Sequence, residues 1–279
     1  VGNHRIAVLH LRLKQMAKKS NLEVVRRLTR MLNSSAKILV LPSLFNTGPI
    51  FEHYRGHRLA RVLKNAAEKI PGPTSDLLSF LAVEKTIFVL GGPIIERAGP
   101  RLFLTTLAFS PRGELICKYR KLVVDEEDEK LGISAGRTPG IVKFNINIGV
   151  LAGSDSLYPE VARALILGGA SLLVALLRAS RRQARLVDLL RLRSIENKVP
   201  LIIAGGISEV HGEAEAVVPT ILYDENGREV IRVEDEYSRP VYMDLNPQWF
   251  SEKPQASRST LRIIETLCRV MRSRKRLLC

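Results

Sequence analysis

Short apolar runs of strand length alternate with amphipathic stretches along most of the chain. Residues 4–11 (HRIAVLHL) predict a first strand, and residues 21–32 (NLEVVRRLTRML) a helix with Asn21 as its N-cap. Residues 37–41 (KILVL) read as a buried strand closed by Pro42. Helical spacing returns at 58–67 and 75–85, and a strand at 86–90 is ended by Gly91-Gly92-Pro93. The stretches 102–110 and 114–120 flank Pro111-Arg112-Gly113, a hairpin signal. A strand at 146–151, a helix at 159–167, a strand at 171–177, a long amphipathic helix at 183–198 and a strand at 201–204 follow. A second hairpin joins 220–223 to 229–233 through Asp224-Glu225-Asn226-Gly227.

The order is βαβα and a hairpin, twice over. It predicts an α/β protein with mixed sheets in a layered sandwich. No linker-like stretch divides residues 1–245, so they read as one domain. Residues 246–279 read as a basic C-terminal extension. Within it, Leu261, Ile264, Leu267, Cys268 and Met271 recur near helical spacing and predict a helix over 258–278.

Composition narrows the class. The chain has 279 residues, enough to bury a large core, and 46% hydrophobic with 25% charged residues excludes wholesale disorder. No apolar run reaches the length of a membrane span. Cys117, Cys268 and Cys279 lie far apart, which suggests neither a disulfide framework nor a paired-cysteine metal site. No secretory pattern is visible near residue 1, so a cytoplasmic protein without metal or cofactor is expected.

The net charge of +15 is concentrated. Residues 1–40 carry +8, residues 178–198 carry +5 and residues 251–279 carry +6, leaving the rest slightly acidic. Such segments suit either solvated helix faces or a polyanion such as nucleic acid. His53 and His57 have the i,i+4 spacing of helix-borne metal ligands, but no third ligand accompanies them, and a surface pair is expected. Cys117 is expected to be a buried, unreactive thiol.

Several stretches carry a family pattern. Residues 39–48 (LVLPSLFNTG) are similar to a hydrophobic-P-E-L-F-x-T-G segment, and 70–74 (IPGPT) to the loop before its second helix. Residues 113–122 (GELICKYRKL) are similar to a segment ending K-Y-R-K, and 148–164 (IGVLAGSDSLYPEVARA) to one reading I-C-Y-D-x-R-F-P-E-x-A-R. Residues 191–198 (RLRSIENK) are similar to R-A-R-A-x-E-N. In this order and spacing, from about residue 4 to 245, the chain resembles the carbon–nitrogen hydrolase (nitrilase/amidase) superfamily. The resemblance implies a four-layer αββα sandwich. It also implies a homodimer paired through the helices near 159–167 and 183–198.

It further implies a mechanism in which a glutamate takes the proton of a cysteine thiol, the thiolate attacks an amide or nitrile carbon, and a lysine stabilises the developing negative charge. The residues matching these positions are altered. The glutamate position is Ser43, the cysteine position is Gly153, and only the lysine, Lys121, is retained. A supporting carboxylate corresponds to Glu129, within the acidic run Asp125–Glu129. Leu157 stands at the family pattern's arginine and Leu176-Leu177 at its Pro-Ser pair.

On this basis the chain is expected to be an inactive binding or structural module. Nucleic acid is its expected partner, through Arg181, Arg182, Arg185, Arg272, Arg274, Lys275 and Arg276. The alternative is a carbon–nitrogen hydrolase with rewired residues, using Lys121 with Ser154 or with a carboxylate from Asp125–Glu129. Ser154 is expected to aim away from the site, because neighbours on a strand face opposite ways unless the strand breaks at Gly153.

Overall fold

The computed structural model describes residues 4–250, 262–266 and 269. In chain order, strand His4–Lys14 (β1) leads to helix Lys18–Arg30 (α1), strand Ile38–Leu41 (β2), and helices Gly56–Ala66 (α2) and Pro73–Lys85 (α3). Strands Phe88–Ala98 (β3), Arg101–Phe109 (β4) and Leu115–Arg120 (β5) precede the short helix Glu126–Lys130 (α4). Strands Ile141–Lys143 (β6) and Asn147–Ala152 (β7) lead through a 3-10 turn, Gly153–Leu157, to helix Pro159–Leu167 (α5) and strand Leu172–Leu176 (β8). Helices Arg181–Ala184 (α6) and Leu186–Asn197 (α7) precede strands Leu201–Ala204 (β9), Gly206–Val210 (β10), Glu213–Val218 (β11), Thr220–Tyr223 (β12), Glu229–Val233 (β13) and Arg239–Leu245 (β14).

The strands form two mixed sheets. One has the order β11-β10-β1-β2-β3-β4-β5, with β14 also paired to β1; the other runs β13-β12-β9-β8-β7-β6. Alternation along each central strand explains the layering. Ile6 and Val8 of β1 enter the core shared by the sheets, together with Val150, Val174 and Ile202 from the second sheet. Ala7, Leu9 and Leu11 face the other way, onto a core that includes Val25 of α1 and Leu78 of α3. In β8, Leu172, Val174 and Leu176 face the first sheet, and Leu173 and Ala175 pack in a core with Leu165 of α5 and Leu190 of α7. Strands buried on both faces must be continuously apolar, which is how these runs read. The result is the expected four-layer αββα sandwich.

Local details differ from the sequence expectation. Asn21 is inside α1, which begins at Lys18, and does not cap it. Its Oδ1 accepts from the Lys14 backbone N–H at 2.9 Å while its Nδ2 donates to the Lys14 carbonyl at 2.8 Å, so the side chain caps the carboxyl end of β1. Gly91-Gly92-Pro93 does not end β3. The strand continues to Ala98 across a register shift between Gly91 and Ile94, where the missing proline N–H is tolerated. The helix expected over 183–198 is two pieces, α6 and α7, meeting at Arg185. Of the expected C-terminal helix, residues 262–266 and 269 are helical; the rest lies outside the described residues. No described helix is long and apolar enough to cross a membrane.

Candidate functional site

The carboxyl ends of β2, β7 and β8 converge, the usual place for a site in an α/β protein. There the Ser43 backbone N–H donates to the Leu177 carbonyl at 3.3 Å and ties the two sheets together. β7 ends at Ala152, and Gly153 adopts φ +53 as the chain turns into the 3-10 segment. That left-handed conformation suits glycine. The break at Gly153 overturns the expected orientation of Ser154. It lies in a cavity wall, and its hydroxyl donates to the Val123 carbonyl at 3.1 Å.

The turn is held from both sides. Tyr119 donates its hydroxyl to Asp155 Oδ2 at 2.5 Å, and the Val123 and Ala152 N–H groups donate to the same carboxylate at 2.8 and 3.1 Å. Burial pushes the Asp155 carboxyl up, against the opposing pull of these hydrogen bonds. Burial, reinforced by the Asp155 charge, pushes the Tyr119 hydroxyl up as well, so the phenol stays a donor. From behind, Arg193 of α7 donates to the Ser156 and Leu157 carbonyls at 3.4 and 3.3 Å and pairs with Glu196 at 3.2 Å. These residues of the matched motif therefore brace the turn after Gly153.

Lys121 follows β5 directly. Its N–H donates to the Leu104 carbonyl at 2.8 Å, and its own carbonyl accepts from the Gly136 N–H at 2.8 Å. Its ammonium donates to Asp128 Oδ2 at 2.6 Å, with both side chains nearly buried. Asp128 is presented by α4, whose first turn is fixed by the Asp128 N–H donating to Asp125 Oδ1 at 2.9 Å. The carboxylate on Lys121 is thus Asp128. Glu129, the residue expected there, is exposed to solvent. Asp128 Oδ1 makes no hydrogen bond among the described residues.

Lys121 and Asp128 open into a cavity of about 480 Å³. Phe51, Glu52, Arg55, Asp125, Ser154, Leu157, Arg178, Arg182, Gln183 and Arg185 line it with them. Arg178 pairs with Glu52 at 2.9 Å and stacks on the Phe51 ring at 4.3 Å; Arg182 reaches Asp125 at 3.4 Å. Ser43 is buried and does not line the cavity.

Of the basic residues singled out for nucleic acid, Arg182 and Arg185 line this cavity and Arg181 is exposed on α6. Arg272, Arg274, Lys275 and Arg276 lie outside the described residues. His53 Nε2 is 2.8 Å from Glu215 Oε2, and His57 is exposed. Cys117 packs against the inter-sheet core, and burial pushes its thiol up, away from nucleophilic use. Sequence reasoning missed Glu52, Arg178 and Gln183, which come from separate segments and meet only in the fold.

Comparisons with known proteins agree with this architecture. The chain is 31% identical over 118 residues to the human omega-amidase NIT2, a match covering 42% of this chain and 40% of that protein. The matched stretch is therefore less than half of the omega-amidase. A nitrilase from Pyrococcus abyssi is 31% identical over 186 residues, 63% of this chain and 64% of that protein. The solved structure of a cysteine-to-alanine mutant of the Nesterenkonia AN1 amidase from the nitrilase superfamily superposes with a TM-score of 0.74 at 19% identity, over 93% of this chain and 95% of that one, and shares the fold. The description "carbon-nitrogen hydrolase" matches residues 5–248. The expectation of an inactive, nucleic-acid-binding module is overturned by these relatives, which are named amidase and nitrilase. The chain belongs to the carbon–nitrogen hydrolase family.

Proposed function

We propose that the protein hydrolyses a carbon–nitrogen bond of an amide- or nitrile-type substrate in the cavity beside Lys121, with residues that differ from the family's usual set. The observation that carries this reading is the buried Lys121–Asp128 pair facing that cavity in a chain whose family match spans 5–248. Gly153 supplies no side chain, and the Ser154 hydroxyl is engaged by Val123, so the attacking group is water. Asp128 is the base. Its Oδ1 takes a proton from water as the oxygen bonds to the acyl carbon and the carbonyl electron pair moves to the acyl oxygen. Lys121 stabilises that oxyanion. Collapse re-forms the carbonyl and breaks the C–N bond, and the Asp128 proton passes to the leaving nitrogen. An amide and water thus yield a carboxylic acid and an amine or ammonia.

Exposed Leu157 at the end of the 3-10 turn, Tyr158 at the N-cap of α5 and Leu192 on α7 support the homodimer implied by resemblance. Light scattering should give twice the chain mass, and Leu192→Arg should halve it. Ammonia release from short amides, nitriles and carbamoyl compounds, with Lys121→Ala as the control, tests the catalytic reading. Loss of at least a hundredfold in the variant is expected; no release from any compound overturns it.

A further inference from the structure

The position where the family carries its nucleophile is not empty space. A Cβ placed on Gly153 would lie 3.1 Å from Nε2 of Gln183, a residue 30 positions further along the chain. The Gln183 side chain is fixed by its neighbours. Its backbone N–H donates to the Ser180 hydroxyl at 3.2 Å, the N-cap of α6, and its Oε1 accepts from the Arg178 N–H at 2.8 Å. Only an oxygen can accept there, so the amide orientation is determined and Nε2 points to the Gly153 side. Gln183 is more than nine-tenths buried, yet it lines the same cavity as Lys121 and Asp128. Among the described residues Nε2 donates to nothing. The donor is open to the cavity, so an acceptor that enters there can complete the amide.

We infer that Gln183 occupies the nucleophile's place as a substrate-binding donor, holding the acyl oxygen of an amide, or the nitrogen of a nitrile, opposite Lys121. This rests on the hydrolase reading and deepens it. A thiol at this point would attack the acyl carbon, whereas an amide N–H binds the oxygen attached to it. The substitution of glycine at 153 and the placement of Gln183 over it therefore belong together. They convert a covalent site into one where water attacks a substrate clamped between two donors. The donor pair selects substrates that present a hydrogen-bond acceptor on the reacting carbon.

The decisive variant is Gln183→Glu. It keeps the Oε1 acceptor for the Arg178 N–H and removes the donor; Gln183→Ala is the second variant. Two readouts are needed: steady-state amide hydrolysis and calorimetric binding of propionamide. Gln183→Glu should retain its fold by circular dichroism, lose at least a hundredfold in kcat/KM mainly through kcat, and bind propionamide at least tenfold more weakly. In the wild type, quenched reactions should show no acyl adduct by intact mass. Activity and binding within threefold of wild type in both variants overturns the inference while leaving the hydrolase reading intact; an acyl adduct on the wild type overturns both the inference and the direct attack by water, leaving only carbon–nitrogen hydrolysis. If the wild type releases no ammonia, the hydrolase reading fails. The propionamide affinities then decide the role of Gln183 alone, and unchanged affinity rejects it.

Discussion

Replacing Lys121 by methionine removes one partner of the most deeply placed ion pair in the cavity while keeping a side chain of similar length. The Lys121 and Asp128 side chains are 7% and 10% exposed, and their charged atoms are 2.6 Å apart. A solvent-exposed pair contributes about 0.2–1 kcal/mol, whereas stranding a buried charge costs about 3–5 kcal/mol. At this burial the second regime applies. Asp128 Oδ2 then loses its cation. Each kcal/mol corresponds to about 2–4 °C in a domain near this size, so Lys121→Met should lower Tm by roughly 6–20 °C. The double variant Lys121→Met with Asp128→Leu removes the stranded charge and should recover at least half of that loss. Thermal melts by circular dichroism at neutral pH supply all four corners of the cycle. A Lys121→Met shift below about 2 °C, or additive single effects, refutes the reasoning, because the pair would then behave as a surface contact.

Other consequences follow from neighbouring geometry. Gly153→Cys places a side chain at φ +53 against Gln183 Nε2, at a cost of about 1–2 kcal/mol for the backbone alone; combined with Ser43→Glu it should fold with a lower Tm and no gain in amide turnover, whereas a gain would show that the cavity walls still fit a thiol route. Tyr119→Phe removes the donor to Asp155 and should cost about 1.5–3 kcal/mol by urea denaturation, and an unchanged midpoint would remove Asp155 from its bracing role. His10 is fully buried, with Nδ1 2.8 Å from the Thr220 hydroxyl and Nε2 3.0 Å from the Asp235 carbonyl. Burial lowers its pKa from the ordinary 6.5. The unfolded chain therefore takes up a proton that the native state refuses. Stability is fully present above pH 6.5 and falls below it, by up to about 1.4 kcal/mol per pH unit. Melts between pH 7 and 5 should show this slope flattened in His10→Gln, and an identical slope would assign it elsewhere.

The central strands were legible because both of their faces are buried. Residues 38–41, 172–177 and 201–204 are apolar without interruption. The strands Gly206–Val210 and Glu213–Val218 were not legible. They form one end of the first sheet, and Ser208, Glu209, Glu213 and Glu215 interrupt their apolar pattern. Gly91-Gly92-Pro93 misled because a glycine pair before proline normally stops a strand, and only the register shift opposite β4 lets this one continue.

The site was half legible. Lys121 stood out through its motif. The acidic run beside it offered five carboxyl groups, and only the turn of α4, set by Asp125 receiving the Asp128 N–H, selects Asp128 over Glu129. Gln183 carried no signal, since its meaning depends on Gly153 lying beside it in space. The basic residues at 178–185 were read as a surface footprint because charge along a sequence does not say which way it faces. Arg178, Arg182 and Arg185 face a cavity, and Arg178 and Arg182 are paired with Glu52 and Asp125.

Lys121 and Asp128 are the residues proposed to act on the carbon–nitrogen bond. Ammonia release by the purified protein from a panel of short amides and nitriles, run beside Lys121→Ala and Asp128→Asn, tests that role most directly. Turnover by the wild type that falls by about 100–1000-fold in each variant is the predicted result. Turnover that survives either substitution, or none from any compound, contradicts it.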